Sequence, residues 1–126
     1  MNTITEGTLL WEPSAAVKEK TNLSHYMQWL KNERGLAFQS YHELWQWSVT
    51  EIEHFWESIW DFFSIKASRG YSSVLTERKM PGADWFAGAE LNYAEHIFRN
   101  MTHERPAMLY KSEDEPLGEV TWQELY

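Results

Sequence analysis

Apolar side chains recur at spacings of three, four and seven residues after Pro13-Ser14, a pattern that predicts an amphipathic helix. The recurring positions extend from Leu23 to Leu30. Gly35 follows the last of them and is expected to close the helix, because glycine readily adopts the left-handed conformation that ends helices.

The clearest predicted helix spans residues 49–63. It follows a short helical turn that begins after Ser40 and reaches Trp47, and Ser48 with Glu51 forms a capping-box pattern at its start. Its apolar side chains fall on one face: Ile52, Phe55, Trp56, Ile59, Trp60 and Phe63. Its polar side chains fall mostly on the other: Thr50, Glu51, Glu53, Glu57, Ser58 and Asp61. We expect the apolar face to pack against residues 23–30 and 91–101.

The second half of the chain is predicted to hold shorter elements. Residues 66–70 form a loop, residues 71–75 are extended, and Pro81-Gly82 marks a turn. Gly88 precedes a helix inferred from apolar positions across residues 91–101.

The last twenty residues predict a β-hairpin. An apolar run at residues 107–110 is followed by a turn at residues 113–118 and a returning strand at residues 119–122. Thr121 and Glu124 form a second capping-box pattern, so a helix should begin there. Since a lone hairpin is marginal in water, we expect its neighbouring strands to lie in further sequence, which would make the chain the amino-terminal piece of something larger.

Composition limits the class of protein. The chain has 126 residues, 43% of them hydrophobic, and 20 aromatic side chains, so it should fold around a core. The net charge of −8 disfavours binding to nucleic acid or to anionic membranes. Without cysteine, neither disulfides nor thiolate metal sites are possible, and no apolar stretch is long enough to span a bilayer. A soluble cytoplasmic protein is expected.

Candidate metal ligands are weak. The five histidines are His25, His42, His54, His96 and His103. His54 and Glu57 stand one helical turn apart, and His96 and His103 stand two turns apart if their helix extends that far. With no second cluster to complete a site, solvated or hydrogen-bonded histidines are the better interpretation.

Other catalytic patterns are equally weak. No serine lies in a nucleophile elbow, Ser48 is better explained as a helix cap, and the glycines lack phosphate-loop spacing. The carboxylates of the predicted helix at residues 49–63 are best explained as a solvated face. One basic stretch, residues 66–79, could attract an anionic ligand such as a nucleotide, although loops commonly carry such charge. We therefore predict no catalytic, cofactor-binding or metal-binding residue.

Several motifs carry a family resemblance. Leu10-Trp11-Glu12-Pro13-Ser14, the stretch at residues 40–49, and Phe55-Trp56 with the aromatic run at residues 59–63 resemble the amino-terminal region of acetoacetyl-CoA synthetases. The block at residues 81–96, which contains Leu91-Asn92-Tyr93-Ala94-Glu95, is similar to a motif of that family, with Ala87 where a proline is common. Looser versions occur in acetyl- and propionyl-CoA synthetases.

The resemblance implies a mainly α fold. Residues 1–105 would be a helical amino-terminal cap, and residues 106–126 a short β-hairpin that starts an adenylating domain truncated here. The full enzyme would use ATP, Mg²⁺ and CoA to convert acetoacetate to acetoacetyl-CoA, AMP and pyrophosphate. The cap itself would bind no cofactor, would be inactive alone, and would have the rest of its own chain as partner.

Two alternatives stay open at this stage. The chain could be a freestanding acidic, tryptophan-rich helical module that binds a protein partner, or the same cap from an acetyl- or propionyl-CoA synthetase. If the chain is a cap cut from a synthetase, apolar surface that has lost its partner favours self-association of the 126-residue chain.

The predicted helix at residues 49–63 generates a test. With Trp56 on the core face, Trp56→Ala should lower the free energy of unfolding by about 3–5 kcal/mol, as core truncations of aromatic residues do. Denaturant unfolding measures this loss, and an unchanged midpoint would place Trp56 in solvent.

Overall fold

The computed structural model describes residues 5–126, and these form two compact units that divide between Phe62 and Phe63. The first unit contains four helices: α1 (Ala15–Glu19), α2 (Asn22–Arg34), α3 (Tyr41–Thr50) and α4 (Ile52–Phe62). The second unit contains β1 (Ser73–Leu75), β2 (Trp85–Ala87), α5 (Tyr93–Phe98), β3 (Met108–Tyr110), β4 (Gly118–Val120) and α6 (Trp122–Leu125). The predicted mainly α fold with a carboxy-terminal hairpin is confirmed. Each helix within residues 5–126 is too short or too polar to cross a membrane.

The first predicted helix is in fact two helices. The chain leaves helical geometry at Thr21, whose side-chain oxygen accepts a hydrogen bond from the Ser24 N–H at 3.1 Å and so begins α2. Gly35 ends α2 as predicted, with a φ of 68° and its N–H bonded to the Leu30 carbonyl. The break between α1 and α2 could not be predicted, because the spacing of apolar residues continues across the capping residue Thr21.

The predicted capping box at Ser48 is wrong. Helix α3 begins at the cap residue Ser40, whose side chain accepts from the Glu43 N–H, and continues to Thr50. Ser48 lies inside this helix, where its hydroxyl donates to the Trp45 carbonyl at 2.8 Å. Because the chain passes from α3 directly into α4, no separate amino-terminal cap precedes Ile52.

The core of the first unit is where α2, α3 and α4 meet. Tyr26 and Leu30 of α2 and Leu44 of α3 are buried, and Leu30 has no exposed surface. Partly buried side chains surround them: Met27, Trp29, Leu36, Phe38, Trp47, Phe55, Ile59 and Phe62. The predicted packing of the 49–63 helix against residues 23–30 is therefore confirmed, while packing against residues 91–101 stays a prediction.

Two side chains of α4 lie where the pattern did not place them. Trp56 is 40% exposed, so its assignment to the core is wrong. Ser58, assigned to the polar face, is buried. The face that packs is rotated towards Ser58 and Phe62, because the hydroxyl of Ser58 finds a partner inside the core.

In the second unit, β1 and β2 pair in antiparallel register, with Ser73 opposite Ala87 and Leu75 opposite Trp85. The extended segment at β1 was predicted, whereas β2 was not. Between the strands the chain turns at Pro81-Gly82, after a cis peptide bond and with a φ of 94° at Gly82. The predicted turn is confirmed.

The predicted hairpin is confirmed, with Met108 of β3 opposite Val120 of β4 and Tyr110 opposite Gly118. The ring of Tyr110 lies over Gly118 so closely that a Cβ atom there would come within 2.4 Å of it. Helix α6 opens with the predicted capping box at Thr121 and Glu124, with both of its hydrogen bonds formed.

Leu30, and not Trp56, is the residue whose truncation we expect to lower the folding stability most. We expect Leu30→Ala to lower the free energy of unfolding by about 2–5 kcal/mol, through lost burial and the cavity left behind. The matched control is Leu23→Ala on the same helix, where the side chain is 39% exposed and the loss should stay below about 1 kcal/mol. Urea unfolding followed by tryptophan fluorescence measures both, and equal losses would contradict this packing.

Candidate functional site

The two ligand pairs that the sequence spacing would allow, His54 with Glu57 and His96 with His103, are not seen as pairs within residues 5–126. The ring of His54 lies 3.4 Å from the Glu51 carboxylate, not beside Glu57. Helix α5 ends at Phe98, so His96 and His103 do not share a helix, and His96 Nδ1 accepts the Lys66 N–H at 3.2 Å. Within residues 5–126, no three histidine or carboxylate side chains come together in a way that could hold a metal ion.

The other two histidines also lie outside any cluster of ligands. His25 is on the exposed side of α2, and His42 stacks on the Trp45 ring with 5.5 Å between centroids. Both are explained as surface residues of the helical unit.

The basic stretch at residues 66–79 is held by ion pairs. Lys66 lies 2.5 Å from the Glu95 carboxylate, and Lys79 is paired with Glu77. Arg69 lies 2.9 Å from the Glu90 carboxylate and also donates to the Gly88 carbonyl at 2.8 Å. Each of these three cations is therefore paired with a neighbouring carboxylate, as surface charges commonly are.

The carboxylates of α4 meet a cation from another helix. Arg34, near the end of α2, donates to Glu57 at 3.1 Å and to Asp61. Partial burial acts to lower the pKa of the Arg34 guanidinium. The hydrogen bonds that Arg34 donates to both carboxylates, and their negative charge, outweigh burial, so the pKa rises above its ordinary value. The predicted solvated face is therefore partly an ion-pair network. The spacing of Glu57 and Asp61, one turn apart, was the signal for a shared cation.

A buried hydroxyl pair lies at the centre of the helical unit. Ser58 Oγ donates to the Phe55 carbonyl at 2.6 Å, so the Tyr26 hydroxyl must donate to Ser58 Oγ, 2.5 Å away. Burial of Tyr26 raises the pKa of its phenol above the ordinary value. The pair joins α2 to α4 through hydrogen bonds, so we assign it a structural role.

The family-like block at residues 81–96 has a structural explanation. The Asn92 side chain caps α5 by accepting the Glu95 N–H at 3.2 Å, and Glu95 pairs with Lys66. Phe86, at a φ of 51°, packs edge-to-face on Tyr71 with 5.2 Å between ring centroids. The block therefore builds strand β2 and its connection to α5.

A cleft of about 250 Å³ adjoins the hairpin and α6. Its lining is polar and of mixed charge: Thr102, His103, Glu104, Arg105, Pro106, Glu119, Thr121, Trp122 and Gln123. The buried Nε1 of Trp122 finds no acceptor within residues 5–126. A buried donor normally has an acceptor, so the hydrogen bonding on this face of the hairpin is not complete within residues 5–126.

Known proteins match the chain over nearly its whole length. Residues 41–97 match the family described as acetyl-coenzyme A synthetase N-terminus. An acetoacetyl-CoA synthetase of Macaca fascicularis is 34% identical over 97% of this chain and 18% of its own length. A malonamoyl-CoA synthetase of Penicillium aethiopicum is 31% identical over 93% of this chain and 17% of its own length.

The fold matches as well. The solved structure of acetoacetyl-CoA synthetase from Streptomyces lividans superposes with a TM-score of 0.84 at 39% identity, over 92% of this chain and 18% of that one. Residues 41–97 thus match the acetyl-coenzyme A synthetase N-terminus class of protein. Within that class the chain corresponds to the N-terminal region of acetoacetyl-CoA synthetase. It spans about 18% of the length of the curated relatives it matches.

The raised pKa of Tyr26 predicts an alkaline loss of stability. The unfolded chain ionises its tyrosine near pH 10, whereas the folded chain ionises at higher pH. The stability is therefore fully present below about pH 10 and is lost as the pH rises through the folded pKa. Tyr26→Phe should lower the free energy of unfolding by about 1 kcal/mol at pH 8, and should remove part of the decline between pH 8 and 11.

Urea unfolding at a series of pH values measures this change. The exposed Tyr93 provides the control, because Tyr93→Phe should leave both the stability and the decline unchanged. Identical pH profiles for Tyr26→Phe and the unsubstituted chain would contradict the buried hydroxyl pair.

Proposed function

We propose that this chain is the structural, non-catalytic N-terminal region of an ATP-dependent acetoacetate–CoA ligase. The observation that carries the proposal is the match to the Streptomyces lividans enzyme, at a TM-score of 0.84 and 39% identity over 92% of the chain. Sequence identity at this level, spread over most of the chain, supports a shared role for the region.

The reaction of the parent enzyme has two steps. Acetoacetate attacks ATP to give acetoacetyl-adenylate and pyrophosphate, and the thiol of CoA then displaces AMP to give acetoacetyl-CoA. Mg²⁺ accompanies ATP. We assign the ATP, Mg²⁺, CoA and acetoacetate sites to the remainder of the polypeptide, since the glycines of residues 1–126 lack phosphate-loop spacing.

We assign residues 1–105 to the helical cap and residues 106–126 to the first strands of the adenylating domain. Three observations support this division. The hairpin has only two strands, which is marginal in isolation. All three β3 residues, Met108, Leu109 and Tyr110, are exposed although they are apolar. Trp122 Nε1 is buried without an acceptor within residues 5–126. Further strands and an acceptor from the rest of the chain would satisfy each of these.

The remainder of its own chain is accordingly the main partner of this region. Exposed apolar side chains such as those of β3 would drive self-association of the 126-residue chain at high concentration. The acidic balance argues against nucleic acid and anionic membranes as partners, and we place the enzyme in the cytoplasm.

The direct test measures AMP formation by the full-length parent enzyme with ATP, Mg²⁺ and CoA. The acids compared are acetoacetate, acetate, propionate, 3-hydroxybutyrate and, because of the Penicillium relative, malonamate. We expect kcat/KM for acetoacetate to exceed the others by roughly 10-fold or more. The 126-residue chain alone should form no AMP with any acid.

Each other result has a definite meaning. Preference for a different acid would keep the ligase chemistry and remove acetoacetate as substrate. Turnover by the 126-residue chain would overturn its non-catalytic role. No AMP with any acid would favour a helical interaction module instead.

A further inference from the structure

The segment that follows the helical unit in the chain is fastened to α5. We call this segment, residues 63–66, the strap. At its beginning, the Arg99 guanidinium donates hydrogen bonds to the carbonyls of Phe63 and Ser64. Ser64 has a φ of 46°, in the left-handed region that residues other than glycine rarely adopt. Such a conformation persists only where surrounding contacts hold it, and Arg99 supplies two of these contacts.

The other end of the strap is held at Lys66. Its backbone N–H donates to Nδ1 of His96 at 3.2 Å. Its ammonium lies 2.5 Å from the Glu95 carboxylate, but these side chains are 53% and 48% exposed, and exposed ion pairs contribute little to stability. The hydrogen bond to His96 is therefore the main polar fastening at this end of the strap.

The two ends of the strap respond differently to protons. Arginine keeps its charge in proteins, so Arg99 donates to the two carbonyls at neutral and at acidic pH alike. Nδ1 of His96 accepts a hydrogen bond only while the ring is neutral and carries its hydrogen on Nε2. Histidine is the side chain that ordinarily changes its charge between pH 5 and 8. Protonation turns Nδ1 into a donor that faces the Lys66 N–H, so this hydrogen bond is lost.

The surroundings of His96 do not favour its charged ring. Its charged neighbours on the strap and on α5 are Lys66, Arg99 one helical turn away, and Glu95, whose carboxylate is already paired with Lys66. A cavity of about 270 Å³ lies beside the ring, and apart from His96 only Lys66 in its lining is charged at neutral pH. Within residues 5–126 the cavity is lined by Ile65, Lys66, Leu91, Asn92, Tyr93 and His96.

We propose that the strap is a pH-sensitive fastening, in which protonation of His96 releases the Lys66 end from α5 while Arg99 keeps the other end in place. Acid then loosens the segment that leads out of the helical unit, and the helices and strands around it stay folded. This response is a property of residues 63–99 and does not depend on the activity of the parent enzyme.

Hydrogen–deuterium exchange of the full-length parent protein, resolved to single amides by mass spectrometry, tests the proposal. The protection factor of the Lys66 amide is measured at about pH 7.5 and about pH 5.5, each relative to the intrinsic exchange rate at that pH. The Glu90 amide is the internal control. It donates to the Arg69 carbonyl at 3.0 Å, and a carbonyl acceptor does not titrate.

We expect the protection factor of Lys66 to fall at least roughly 5-fold at the lower pH, while that of Glu90 keeps its value. His96→Asn supplies an amide oxygen that can accept but does not titrate, so the protection of Lys66 should no longer depend on pH. His96→Ala removes the acceptor and should give low protection at both pH values. His103→Asn, which changes an exposed histidine of the same unit, should behave like the unsubstituted protein.

Three results would overturn the proposal. The first is equal protection of Lys66 at the two pH values in the unsubstituted protein. The second is a fall that is as large in His96→Ala as in the unsubstituted protein, because the proton would then act elsewhere. The third is a joint loss of protection at Lys66 and Glu90, which would show general unfolding in acid.

Discussion

The helical unit depends on how closely α4 can approach α2, and one small side chain sets that distance. Ser58 lies buried against Tyr26. Its hydroxyl accepts a hydrogen bond from the Tyr26 hydroxyl and donates one to the Phe55 carbonyl. A larger side chain would push the helices apart, and an apolar one would leave the tyrosine hydroxyl unsatisfied. Leu30 and Leu44 complete the buried centre, and the ion pairs of Arg34 join the same two helices at the rim.

Sequence periodicity located the elements well where the signal was local. The hairpin, the Pro81-Gly82 turn and the Gly35 terminus were predicted because each depends on neighbouring residues. Strand β2 was missed because three residues give too short a pattern, and its pairing with β1 bridges a loop.

The polar partners that one helix supplies to another could not be predicted. Ser58 was assigned to the solvent because its polarity outweighed its position, although its partner stands 32 residues earlier in the chain. Ser48 was assigned as a cap because a serine inside a helix looks the same in sequence as one at its start. The ion pairs of Arg34 were not predicted either, because the arginine lies on a different helix from the carboxylates.

The block at residues 81–96 carries the family resemblance, while the contacts that its residues make are structural. Contacts of its residues include a helix cap, an ion pair and a ring contact. The same region occurs at similar identity in synthetases named for acetoacetate and for malonamate. A shared architecture of this kind is independent of the acid that the relatives are named for.

The side-chain caps of the helices also indicate which positions of the sequence can vary. Helices α2, α3, α5 and α6 each begin with an oxygen of a small polar side chain that accepts a backbone N–H: Thr21, Ser40, Asn92 and Thr121. Serine, threonine, asparagine and aspartate are nearly interchangeable in that role. These four positions are therefore ones where orthologous chains can exchange residues freely while every helix still begins at the same place.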